Sequence, residues 1–111
     1  MPSLADVRRL ALALPETVEK PHFGMPGFRV QDKGFVTVTK DGTRVFLHTS
    51  ADEVASAVTD DPQTYQELRR GPTLIGIDAD LARIPINRLQ YLITQAWRHR
   101  ATKKLAATLD W

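Results

Sequence analysis

Residues 34–49, GFVTVTKDGTRVFLHT, constrain the fold more than any other stretch. Two runs rich in Val, Thr and Phe flank Asp41-Gly42, a dipeptide that tolerates positive φ at both positions and is the strongest short-range hairpin signal. A two-residue loop there sets Lys40 opposite Thr43. Counting outward pairs Thr39 with Arg44, Val38 with Val45, Thr37 with Phe46, Val36 with Leu47 and Phe35 with His48. Side chains alternate across a strand, so the two faces separate. One face (Val36, Val38, Val45, Leu47) is aliphatic and requires a cover of helices. The other carries Phe35, Thr37, Thr39, Arg44, Phe46 and His48. Phe28 to Gln31, with Asp32 to Gly34 as its turn, supplies a preceding strand.

Helices are expected before and after this hairpin along the chain. Leu4, Val7, Leu10, Ala11 and Leu14 recur at helical spacing between Ser3, a candidate N-cap, and Pro15, a stop. Ser50 and Glu53 form a capping-box pattern that opens a helix through Val58. Asp61-Pro62 reads as the start of one or two further helical turns, running to Arg70 and ended by Gly71-Pro72. Thr73 to Asp78 reads as a strand. Beyond Pro85, Ile86, Leu89, Ile93, Ala96 and Trp97 form one stripe of a long helix. Continued past Arg98, that stripe would bury Arg100 and Lys104 without partners, so a break is expected. Thr102 then caps a last turn to Leu109, which aims Leu105 and Leu109 inward. The fold class is α+β: two layers, an antiparallel sheet with helices on one face, in the order α-β-β-β-α-(β)-β-α, the bracketed strand optional.

Composition narrows the function classes. A chain of 111 residues, 42% hydrophobic and 25% charged, is expected to fold as one domain over 1–111. The absence of cysteine excludes disulfides, thiolate nucleophiles and thiolate metal sites, and favours a reducing, cytoplasmic location. The longest apolar run, Leu10 to Leu14, is too short for a bilayer, and no export signal precedes it. The net charge is only +2, but its distribution is uneven. Ser50 to Glu67 carries acids without a lysine or arginine, whereas Arg69, Arg70, Arg88, Arg98, Arg100, Lys103 and Lys104 make the C-terminal third basic.

Three stretches, LPETVEKPHFGMPGFRV, DDPQTY and AWRHRATKKLAA, resemble the MmcQ/YjbR family in order and spacing, over about residues 10–108. That resemblance implies a small bacterial cytosolic protein with an α/β fold of the secretion-chaperone-like (YjbR-like) class. It also implies DNA binding through paired β wings, and it brings no catalytic residues. Many relatives have a Tyr-Trp-Gly stretch before the last strand. This chain instead reads ELRRGPTLIG, which offers Arg69 and Arg70 where an aromatic contact would stand.

Each candidate site has a functional and a structural reading. In the loop from Pro21 to Gly27, proline and glycine fix one shape, with Phe23 and Phe28 expected to anchor it. It is either a contact loop presenting His22, together with Phe23 and Phe35, or a corner that reverses the chain. On the mixed face of the hairpin, Phe35, Phe46, His48 and Arg44 would stack bases and meet phosphate, or lie covered by the 21–27 loop or by a second copy of the chain. Arg69, Arg70, Lys103 and Lys104 are phosphate contacts or a solvated basic face. His22, His48 and His99 lack paired metal-ligand spacing, and neither a P-loop nor a dinucleotide fingerprint is present. The expected protein is therefore a non-enzymatic DNA-binding module without cofactor or metal, contacting nucleic acid through Arg44, Phe46, His48, Arg69, Arg70, Lys103 and Lys104. The alternative is a chaperone-like or adaptor protein that takes a peptide or protein partner on its sheet. Neither reading involves a membrane, and both admit a monomer or a homodimer.

Overall fold

The computed structural model describes residues 2–109. Helix α1 spans Leu4–Leu12, strands β1 Thr17–Glu19, β2 Gly27–Val30, β3 Lys33–Val38 and β4 Arg44–His48, and helix α2 Ala51–Asp60. Strands β5 Tyr65–Arg70 and β6 Thr73–Asp80 follow, then helices α3 Ile86–Arg100 and α4 Lys103–Ala106. The strands form one six-stranded antiparallel sheet in the order β1-β2-β3-β4-β6-β5. Helix α3 packs across β3 and β4, α1 against α3 and the β1–β2 hairpin, and α2 against β5 and β6. The α+β architecture is the one expected.

The central hairpin keeps the expected register, Val36 opposite Leu47, Thr37 opposite Phe46 and Val38 opposite Val45. Its aliphatic face is wholly buried in the core with Phe28, Val30, Ile77 and Trp97. Trp97 also donates its indole N–H to the Pro15 carbonyl at 2.9 Å, pinning the end of the first helical segment to α3.

The turns differ from expectation. The Asp41-Gly42 loop is a longer one, closed by Thr39 N–H donating to the Arg44 carbonyl at 3.0 Å. Asp41 organises it by accepting from the Thr39 and Thr43 hydroxyls and the Thr43 N–H. The two-residue turn lies instead at Gln31-Asp32, where both residues have positive φ and Val30 opposes Lys33. The expected three-residue turn at Asp32 to Gly34 is thus a two-residue turn that starts one residue earlier.

The segment from Asp61 to Arg70 is the clearest correction. Its helical part is one turn, in which Asp61 accepts from the Gln63 N–H and the Thr64 hydroxyl. Tyr65–Arg70 then runs as strand β5 and pairs with β6 through a two-residue turn at Gly71-Pro72. Gly71 has φ +59°, the geometry a hairpin turn asks of its first central residue. Gly-Pro therefore reverses a strand here rather than ending a helix. The Thr102 cap forms as expected, its hydroxyl accepting from the Leu105 N–H at 3.2 Å. Helix α4 stops at Ala106, short of Leu109.

Candidate functional site

Two irregularities in the sheet decide what its uncovered face offers. Arg29 opposes Gly34 and Phe28 opposes Val36, so Phe35 has no partner on β2. Arg69 opposes Leu74 and Leu68 opposes Gly76, which leaves Ile75 unpartnered on β5. Each is a β-bulge, and a bulge re-aims the side chain of its extra residue. Phe35 joins the core with 0% exposure, so it contacts no ligand. Strict alternation had placed it on the mixed face; the bulge overrides that alternation.

The bulges border a cleft of about 300 Å³. Its lining includes Lys20, His22, Arg29, Lys33, His48, Arg70 and Arg100, with Thr37 and Ile75 between them and Asp32 as the lone carboxylate among the described residues. The pieces come from distant parts of the chain. Lys20 and His22 lie on the β1–β2 connection, Arg29 alternates with the buried Phe28 and Val30 on β2, and Arg70 ends β5 beside its turn. Arg100 reaches in from the last turn of α3.

Electrostatically the cleft is uncompensated. Arg29 donates to the Asp32 carbonyl at 3.4 Å, and Arg100 donates to the Gly34 carbonyl at 3.2 Å. A backbone carbonyl holds a guanidinium in place without cancelling its charge. The ion pairs among the described residues are Arg8–Glu19, Arg9–Asp6, Arg44–Asp78 and Arg69–Glu67, none of which involves a cleft cation. His48 reports the same field from inside. Its burial, followed by Arg100, Arg70, His22 and His99, lowers its pKa from 6.5 to about 4. It stands neutral at pH 7 and offers one donor and one acceptor.

The candidate residues read from the sequence divide accordingly. His22, His48 and Arg70 are brought together in the cleft. Arg44 is paired with Asp78 through its Nε, and Arg69 with Glu67 at 3.0 Å while also donating to the Pro72 carbonyl. Neither is a free cation. Phe46 is half-buried across from Thr37 and Asp78. Lys103 and Lys104 are exposed on α4 and do not line the cleft, although the Thr102 N–H donates to Gln31 in the turn beside it.

Phe28 anchors the 21–27 loop as expected, but Phe23 does not: it is 84% exposed. The loop closes as a tight turn, with His22 and Met25 exchanging backbone bonds at 2.8 and 3.0 Å. Phe23 and Gly24 occupy its two central positions with φ +51° and +76°. A bulky side chain there costs about 1–2 kcal/mol against the ordinary backbone regions.

Sequence reasoning missed Lys20, Arg29 and Lys33 as site residues. Arg29 was within reach, since it lies between two buried residues at a spacing of two and so faces away from the helices. The bulges that shape the cleft left no comparable signal.

Among the described residues, no group of three or more His, Asp or Glu side chains is placed to share a metal ion, and no helix is long and apolar enough to cross a membrane. No curated protein and no solved structure matches the chain. The YjbR family model matches residues 12–99, from the end of α1 to the last turn of α3 and across the whole sheet; by that match the chain belongs to the YjbR family.

Proposed function

We propose that this protein is a non-enzymatic DNA-binding module whose contact surface is the cationic cleft between the sheet and the last turn of α3. The observation that carries this reading is the gathering of Lys20, Arg29, Lys33, Arg70 and Arg100 around one cleft where, among the described residues, Asp32 is the single carboxylate. Like charges brought together repel, and a fold maintains them where a polyanion supplies the missing countercharge. The phosphate backbone is such a partner, and neutralising it releases condensed counterions. Thr37 and neutral His48, at the floor, add uncharged hydrogen-bonding groups.

Peptide capture on a strand edge is less well supported by the sheet. One edge, β1, is three residues long. The other, β5, exposes Gln66, Glu67, Arg69 and Arg70. Short and charged edges are how sheets discourage an added strand.

Chemical-shift mapping by NMR tests the reading. Addition of an oligonucleotide is expected to perturb backbone amides of Gly27, Gly34, Thr37 and Ile75 ahead of those in α2. Perturbations centred on α2, or none at saturating oligonucleotide, overturn it.

A further inference from the structure

Resting on the DNA-binding reading, we infer that Phe23 is a base-stacking residue, so that the cleft binds single-stranded nucleic acid more tightly than a duplex. Phe23 is the most exposed large hydrophobic residue among those described, at 84%. It also occupies a positive-φ position, where glycine or asparagine would sit without strain. The ring lies outside the buried core, so core packing does not repay that conformation. Strain kept at an exposed position points to a contact made elsewhere than in the free protein.

The location of the ring says what that contact is. Among the described residues its one aromatic neighbour is His22, with ring centroids 4.6 Å apart and the planes at 70°. His22 lines the cationic cleft. The edge-on contact leaves a face of the Phe23 ring open at the cleft's rim. On the other side of the turn lies Lys40, whose Cε would be 3.2 Å from a Cβ placed on Gly24. The turn thus offers an open aromatic face between a basic cleft and a further lysine. A strand whose phosphates follow the cations would bring its bases past this ring. An unpaired base can stack there, whereas a base held in a duplex presents only its edge.

The test is a fluorescence-anisotropy titration with an oligothymidylate of about 16 nucleotides, within the site sizes of single-strand binding domains, and with a duplex of the same length. Wild type, Phe23→Ala, Phe23→Gly, Phe23→Trp and Arg70→Ala are compared. Phe23→Ala and Phe23→Gly are expected to weaken single-strand binding about tenfold, the loss of one aromatic–base stack, and to leave duplex binding unchanged. Phe23→Trp retains affinity. Phe23→Gly should also unfold at a higher temperature than wild type, since glycine accepts the turn's backbone angles, so its weaker binding cannot be misfolding. If wild type binds and the Phe23 variants bind equally well, or lose both nucleic-acid forms alike, the stacking role is overturned while the cleft stands. If wild type binds neither form, or Arg70→Ala binds both as tightly as wild type, the cleft reading falls and the stacking role with it.

Discussion

His48 shows how a single side chain registers the charge around it. Burial and the nearby arginines hold its pKa at about 4 in the folded protein, against 6.5 for the unfolded chain. As pH falls, the unfolded state therefore takes up the proton first. The stability associated with a neutral His48 is complete above pH 6.5 and is lost progressively toward pH 4. His48→Gln should flatten the stability profile in that window, as measured by urea unfolding at a series of pH values. An unaltered slope would mean that neither burial nor the cations shift the imidazole. The sign reverses for binding. A polyanion on Arg70 and Arg100 relieves the repulsion and raises the His48 pKa above its free-protein value of about 4, so binding takes up a proton and tightens as pH falls toward 4. Arg44 and Arg69 illustrate the limit of reading residues singly. Both are basic in the sequence, and both are tied to carboxylates that only the pairing of β4 with β6 or the local path of β5 reveals.

At the scale of elements, the sequence carried the parts whose signals are local. The hydrophobic alternation of β3 and β4 gave the register, Ser50 and Thr102 gave two helix starts, and the stripe of Leu89, Ile93 and Trp97 gave α3. What it concealed depends on partners far along the chain. Strand β5 has the run Gln66, Glu67, Leu68, Arg69, Arg70, with no β-branched residue, and becomes a strand because β6 offers an edge for it to pair with. The bulges at Phe35 and Ile75 likewise arise between strands and have no composition of their own. Gly76 marks where this pairing is tightest. A Cβ there would lie 1.9 Å from the Leu47 carbonyl oxygen on β4. Gly76→Ala is expected to cost about 3 kcal/mol or more, since backbone cannot step aside as a side chain can. Chemical unfolding measures this, and a loss within the noise of a surface substitution would contradict the close approach of β4 and β6.

In the whole molecule, one face of the sheet is buried under α1, α2 and α3, and the cations gather in a cleft lined by the sheet, the β1–β2 connection and the last turn of α3. The chain's net charge of +2 hides this asymmetry. Carboxylates offset the arginines elsewhere, at Arg8–Glu19, Arg9–Asp6, Arg44–Asp78 and Arg69–Glu67, and leave the cleft positive. The cations on α4 lie outside the lining, so reversing Lys103 and Lys104 to glutamate should affect binding less than reversing Arg29 and Arg70. The most direct measurement is the salt dependence of duplex affinity for wild type and for the Arg29→Ala/Arg70→Ala variant. Each phosphate contact contributes about 0.9 to the slope of log affinity against log salt concentration. The variant should bind more weakly and lose a slope of roughly 1.8 if both arginines meet phosphates. Identical slopes and affinities for the two proteins would contradict a cleft that works by neutralising a polyanion.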